Sequence, residues 1–261
     1  MPNLETEFIP PEDENAKIWR YMDFPKFVSF LMSKSLYFSR SDLLGDPFEG
    51  SYPEFNKEFR VQRDKMFLEQ LLGDRVTTDS VNTFLESQSN LNKFLAKCMC
   101  VNCWHINEDE SFAMWSIYAK DNKGIAIQST YKQLRTSLPP SILIGKVTYI
   151  DYQKEHISEF RVFDPIMHKR KSFMFENELR AVKSILGAFL PTITESLVEV
   201  PSVGPDIKGV SIPVDIDKLI SSIYVAPNSE DWFFDVVSEV TKQYSLTINV
   251  CKSPLDKEPY Y

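Results

Sequence analysis

Phe175-Glu176-Asn177-Glu178-Leu179-Arg180-Ala181-Val182-Lys183-Ser184-Ile185 is the stretch from which the fold is read. From Glu178 to Ile185 its alternation has the period of two that marks a β-strand. Residues two apart on a strand share a face, so the pattern predicts Glu176, Glu178 and Arg180 pointing the same way. Two carboxylates and a guanidinium on one strand face need partners, because unpaired charge is costly away from water.

Outward from this strand the chain alternates between short elements of both kinds. Asp23-Phe24-Pro25 opens a helix, with Asp as cap and Pro in the first turn. Phe24, Phe27, Val28 and Leu31 follow at helical spacing and should face the core. Residues 36–38 read as a strand, and SRSDLLGDPFEG, residues 39–50, as a turn-rich loop. Helices are expected over 55–72 and 79–94, a strand over 97–104, and a helix over 109–120 with Phe112, Trp115 and Ala119 on one side. Strands over 124–128 and 146–150 come next, then a polar region, 152–171, without a clear period. The C-terminal part reads as strand 209–214, helix 215–219 and strand 222–226. Ser229 is then expected to cap a helix carrying Trp232, Phe233, Val236, Val237 and Val240, and residues 246–251 form a last strand. No repeat, linker or βαβ rhythm is visible. The expectation is one α+β domain over 19–252, with a mixed or antiparallel central sheet and flanking helices. A flexible segment 1–18 and a tail 253–261 would flank it.

Composition narrows the function. Of 261 residues, 19 are Phe, 11 Tyr and 4 Trp, while 8 glycines leave little for a phosphate loop, and neither GxGxxG nor GxxxxGK[ST] occurs. The net charge is −8. The densest basic cluster, Lys169-Arg170-Lys171, reads as a solvated patch. Duplex nucleic acid needs a broad basic surface, so the charge argues against it and leaves room for a compact anionic ligand. The N-terminus is acidic without a signal-peptide core, and no apolar run reaches the roughly 18 residues of a membrane span, so a cytoplasmic protein without membrane contact is expected. Cys98, Cys100, Cys103 and Cys251 do not form a secreted disulfide framework. With His105 the first three are too crowded for a structural zinc site, and no metal is expected. The histidines, His105, His156 and His168, show no HExxH spacing, and GxSxG is missing, which argues against a triad hydrolase.

Several motifs stand in a recognisable order: Trp19-Arg20-Tyr21, then LYFSRSDLLGDPFEG, MWSIYAKDNKGIAI, FENELRAV and IPVDIDKLISSIYVAPNSEDW. Together, over about 19–252, they resemble the bacterial family known as domain of unknown function 2971. Gly45 departs from that pattern, where Asn usually precedes Asp46-Pro47-Phe48-Glu49. The set is also distantly similar to phage abortive-infection proteins, which implies a defence or toxin role.

Glu176-Asn177-Glu178 further resembles the E-x-E motif of ADP-ribosyltransferases, and the order of Arg20, the helix from Asp23 and 36–39 is similar to theirs. That likeness implies NAD as substrate and a macromolecular acceptor of ADP-ribose. It makes Glu178 the catalytic carboxylate stabilising an oxocarbenium-like transition state, and Glu176 its orienting partner. Arg20 would clamp the nucleotide, with Tyr21 and Arg180 beside it, and Tyr37, Ser39, Trp115 and Tyr118 would wall the nicotinamide. Asp46, Phe48 and Glu49 would contribute loop contacts. Two other readings stay open. Asp46, Glu49, Glu176 and Glu178 are an oxygen-rich set suited to Mg²⁺ in a nuclease. The same charges also suit a non-catalytic binding or sensor module held together by an ion-pair network.

Overall fold

The computed structural model describes residues 8–159, 161–188 and 206–257; residues 1–7 of the expected N-terminal segment and 258–261 of the tail lie outside them. In chain order the elements begin β1 (Lys17–Asp23), α1 (Phe24–Ser33), β2 (Ser35–Arg40), α2 (Glu54–Leu72), α3 (Thr78–Lys97) and β3 (Met99–Ile106). There follow α4 (Phe112–Tyr118), β4 (Gly124–Thr130), α5 (Tyr131–Ser137), β5 (Leu143–Lys146), β6 (Thr148–Ile150), α6 (Asp164–Met167) and β7 (His168–Arg170). The chain continues with β8 (Glu178–Ser184), β9 (Gly209–Pro213), α7 (Ile216–Leu219), β10 (Ser222–Val225), α8 (Asp231–Gln243) and β11 (Asn249–Lys252).

Among the described residues nine strands form one mixed sheet, ordered β11-β10-β4-β1-β3-β2-β9, with β8 on β3 and β5 on β8. Its β10–β11 pair is parallel and its other pairs antiparallel. The parallel pair β6–β7 stands apart. The fold is thus a mixed α/β domain with a central sheet and flanking helices.

Strand β3 organises the site. On one edge β8 accompanies it from Met99↔Ser184 to His105↔Glu178. The other edge is shared between two strands. β1 pairs at Ile18↔Ile106 and Trp19↔His105, whereas β2 pairs at Ser39↔Val101 and Arg40↔Cys100. Between these pairings, at residues 102–104, the sheet splits. Side chains cross the split: Asn102 Nδ2 donates to the Tyr37 carbonyl at 2.9 Å, and Arg20 Nη1 to the Cys103 carbonyl at 3.1 Å.

The two sheet faces differ in chemistry. One is apolar: Ile18, Met22, Trp104, Ile127, Leu179 and Ala181 pack against Phe27 and Leu31 of α1 and Phe233 and Val237 of α8. Each fully buried Leu, Ile, Met or Phe among them contributes about 1.5–3 kcal/mol. The other face carries two smaller apolar patches. Met99, Val101 and Val182 pack with Phe8, Ile166 and Met167, while Trp19, Tyr21 and Ala126 pack with Met114 and Trp115. Between the patches this second face is polar, and the candidate site lies there.

Local signals explain most elements. Asp23 Oδ1 accepts from Lys26 N at 2.8 Å, capping α1 as expected, and Lys34 ends it in the left-handed region at φ 46°. Gly124 is required by close approach, since a Cβ there would lie 2.3 Å from Ala119 Cβ. Other expectations are corrected. Residues 146–150 do not make one strand: the chain breaks at Val147, with β5 in the large sheet and β6 against β7. Phe112 is exposed, and Met114 and Trp115 form the buried side of α4. Ser229 does not cap α8; Glu230 holds that position, and Ser229 Oγ donates to the Asn122 and Ala226 carbonyls. The last strand starts at Asn249, because 246–248 precede the pairing with β10. No helix among the described residues is long and apolar enough to cross a membrane.

Candidate functional site

The E-x-E reading is half right in geometry. Glu178 and Arg180 share the second face of β8, but Glu176 is not on the strand. It ends a 3-10 turn, Lys171–Glu176, and Asn177 then takes φ 36°, a left-handed conformation that Asn tolerates better than most residues. The turn nevertheless returns Glu176 to its expected partners through a lysine.

That lysine is Lys169, which leaves β7 toward the sheet. Its Nζ lies 3.0 Å from Glu49 Oε1, 2.6 Å from Glu176 Oε2 and 3.5 Å from Glu178 Oε2. The expectation of a solvated Lys169-Arg170-Lys171 patch is therefore wrong for Lys169, whose side chain is 9% exposed. Arg180 is fully buried and spends all five N–H groups. Nε and Nη2 hold Glu178 at 2.8 and 2.9 Å, Nη1 and Nη2 hold Glu49 at 3.0 and 3.3 Å, and Nη1 also reaches the Ile166 carbonyl at 2.5 Å. Tyr149 Oη accepts from the Glu178 backbone N–H at 2.9 Å and orients the start of the strand.

Three carboxylates thus face two cations, leaving one negative charge uncompensated. The pKa directions follow. Burial opposes charge on Glu178, but Arg180 and Lys169 outweigh it and hold the carboxyl at about 2. On Glu176 burial prevails over the single Lys169 bond and raises the carboxyl above the usual range. Lys169 is penalised by burial, yet Glu178, Glu49 and Glu176 hold its proton far more tightly than normal. Glu176 is consequently the carboxylate on which the surplus charge is least firmly held, and its side chain keeps 16% exposure.

The Asp46-Pro47-Phe48-Glu49 loop is the clamp on this cluster. Asp46 Oδ1 accepts from Phe48 N at 3.1 Å, an Asx-type turn, and its carboxylate takes Arg170 Nη2 at 2.6 Å and Nε at 3.1 Å. Phe48 lies over the Arg170 guanidinium at 4.3 Å. The next residue, Glu49, reaches Arg180 and Lys169. The nuclease reading asked these four carboxylates to converge on a metal. Glu49, Glu176 and Glu178 do converge, but on the ammonium of Lys169, while Asp46 is taken by Arg170. Among the described residues no group of three or more His, Cys, Asp or Glu side chains is placed to hold a metal ion. Cys100 lies in the main core, and Cys103, thiol raised chiefly by burial, sits beside Glu178.

Next to the charges stands an aromatic wall. Tyr21 meets Trp115 edge-on at 4.9 Å, and its Oη accepts from Ser111 N at 2.8 Å. Trp115 is buried, with Nε1 donating to Glu110 Oε2 at 2.7 Å. Tyr118 is the open member, 42% exposed, and its phenol is pushed up to about 12 by burial and by nearby Cys103, Glu176 and Glu178. Tyr37 and Ser39 lie across the split on β2, which pairs Ser39 with Val101, so they share the second face. Arg20 differs. It stands opposite Ile127 of the apolar face, and its guanidinium turns into the split to reach β3 rather than either carboxylate. Among the described residues that is its one hydrogen bond, so four N–H donors are unspent.

Sequence reasoning missed Lys169, Tyr149 and Arg170. The signal available for the first was arithmetic: the DPFE and ENE carboxylates outnumber Arg180, and a second buried cation had to come from a basic segment near them. A cavity of about 380 Å³ lies elsewhere, between α2 and α3, lined by Tyr52, Arg60, Arg63, Phe67 and Glu159 among others. Its cations are already paired, Arg60 and Arg63 with Glu159 at 2.9 and 2.6 Å.

No protein-family model matches the chain, so the motif resemblance has no family model behind it, and no curated protein matches it either. Among solved structures, Thermus sp. 2.9 DarT in complex with ADP-ribosylated ssDNA aligns at a TM-score of 0.42 and 10% identity, covering 96% of this chain and 99% of that chain.

Proposed function

We propose that the second face of the sheet binds NAD and that the protein is an ADP-ribosyltransferase-like enzyme. The observation that carries this reading is the uncompensated negative charge of the Glu49–Lys169–Glu176–Glu178–Arg180 cluster beside an aromatic wall. An uncompensated buried charge calls for a proton or a cationic ligand. A pyridinium ring matches that demand in charge.

When bound, NAD supplies a glycosidic C1′–N1 bond whose electron pair leaves with nicotinamide, so that positive charge passes to the ribose. The chain's residues meet that change as follows. Glu178, locked by Arg180 and Lys169, is a fixed negative pole that needs no reorganisation. Glu176, with its raised pKa, takes the proton released by the attacking nucleophile. Arg20 offers its unspent donors to the diphosphate from the split in the sheet. Tyr118 closes over the ring, and the exposed Met174 and Phe175 form an apolar lip for the acceptor.

The test is nicotinamide release from NAD, followed by chromatography. The wild type should release nicotinamide, and Glu176→Gln should lower the rate by about 10²–10⁴. No release from the wild type with water, protein or single-stranded nucleic acid as acceptor would sink the proposal.

A further inference from the structure

The cavity between α2 and α3, about 380 Å³, falls within the size range of small-molecule sites. Its charged residues satisfy one another. Arg60 Nε and Nη2 donate to Glu159 Oε1 at 3.1 and 2.9 Å, and Arg63 Nη1 donates to Glu159 Oε2 at 2.6 Å. Arg63 Nε donates to Asp64 Oδ1 at 2.8 Å, so two cations meet two carboxylates. Burial opposes charge on Glu159, but Arg60, Asn56 and Arg63 outweigh it and hold the carboxyl below the usual range. The neutral polar groups are the ones left over. Tyr52 and Asn92 are half-buried on the cavity wall, and among the described residues neither side chain makes a hydrogen bond. Their polar atoms stay accessible, unlike the enclosed orphan atoms elsewhere in the fold. Burial pushes the Tyr52 phenol up to about 12, so it keeps its proton at neutral pH and can donate. Gln88 Oε1 accepts from Arg63 Nη2 at 3.5 Å, which leaves its Nε2 unspent. Opposite in character are Phe67 of α2 and Phe84 of α3, whose rings lie nearly parallel, with centroids 6.1 Å apart and planes at 28°. Phe67 is 50% exposed.

We infer that this cavity binds a nucleobase or its nucleoside, a flat, uncharged heteroaromatic ring with donors and acceptors on its edge. Charge decides against the neighbouring classes. Among the described residues lining the cavity, a phosphate finds no cation free of a carboxylate, and an amine finds no carboxylate free of an arginine. Either would have to break a pair, which is costly. A hydrocarbon would exclude water from Tyr52, Asn92 and Gln88 without replacing the hydrogen bonds that water gives them. A nucleobase meets both demands. Its face stacks on the phenyl rings, and its edge carries N–H, carbonyl and ring-nitrogen groups that match a phenol and two amides. The inference is independent of the NAD reading above.

The experiment titrates adenosine, guanosine, cytidine and uridine into the wild type, Phe67→Ala and Asn92→Leu, by calorimetry and saturation-transfer NMR. At least one nucleoside should bind the wild type with a Kd of about 1 mM or tighter. Phe67→Ala should weaken that binding about fivefold or more by removing the stacking face. Asn92→Leu should weaken it about fivefold to tenfold by removing the amide. Neither side chain is fully buried, and thermal melting by circular dichroism checks that both variants fold. The 5′-monophosphate of the bound nucleoside should bind within about threefold of the nucleoside itself, because no cation is free to take the phosphate. A monophosphate more than about tenfold tighter would overturn the uncharged ligand. Binding unchanged in both variants would place the nucleoside elsewhere and overturn the site. No binding of any of the four to the wild type at about 10 mM would overturn the inference without a variant.

Discussion

Replacing Arg180 by Met tests the cluster as a unit. The guanidinium is fully buried and makes five hydrogen bonds, four of them to Glu49 and Glu178. Without it, three carboxylates share one ammonium and the surplus charge doubles. Breaking a buried ion pair from one side costs about 3–5 kcal/mol. Glu178 supports that scale: its carboxyl is held at about 2 against an ordinary 4.5, which corresponds to about 3 kcal/mol. Because this pKa is depressed, the contribution is complete above the ordinary value and is lost as pH falls from there through about 2. At about 2–4 °C per kcal/mol for a chain of this size, Arg180→Met should lower Tm by roughly 6–20 °C at pH 7. The assay is thermal and urea unfolding followed by circular dichroism, repeated from pH 7 to 3, where the wild-type slope should flatten in the variant. A double variant, Glu178→Leu with Arg180→Met, removes both partners and should recover much of the loss. A single variant within about 1 kcal/mol of wild type, or a double variant no better than the single, would refute the network.

Two further predictions address neighbouring parts. Glu176→Gln should be as stable as wild type or more so at pH 8. A raised pKa favours the protonated form, so the wild type loses stability as pH rises through that value and the Gln variant does not. Melting both proteins between pH 4 and 8 should show the difference growing in favour of Gln; a Gln variant less stable by more than about 1 kcal/mol at pH 8 would contradict the surplus charge. Asp46→Ala leaves Arg170 and the Phe48 N–H without their acceptor and should cost about 1–3 kcal/mol. Amide exchange should speed up over 44–50 and leave β4 unchanged, whereas uniform speeding would mean that the loop is not a local clamp.

The parts legible in the sequence were those set by neighbours along the chain. The Asp23 cap, the alternation of 178–185 and the helical spacing of Phe27 and Leu31 are local, and they placed α1 and β8 within a residue or two. Partners distant in sequence were not legible. Lys169 reads as surface because its neighbours are basic, and only the fold shows that β7 aims it at Glu49, 120 positions earlier. Glu176 was expected on the strand because a period of two cannot register the single left-handed residue, Asn177, that takes it off. Arg20 was expected to clamp the nucleotide beside Tyr21 and Arg180, yet its register opposite Ile127 sends it from the other face. The split of the sheet is a matter of which strands share an edge of β3, and no periodicity carries that.

Calorimetric titration with NAD and with NADH probes the surplus negative charge itself, because the two nucleotides differ by the positive charge on the ring. One charge against the surplus of the cluster is worth about 1 kcal/mol or more at the dielectric of a partly open site, or about fivefold in affinity. NAD should bind the wild type at least that much tighter than NADH, with the preference lost in Glu176→Gln. Equal affinities, tighter NADH, or no heat with either nucleotide would contradict it.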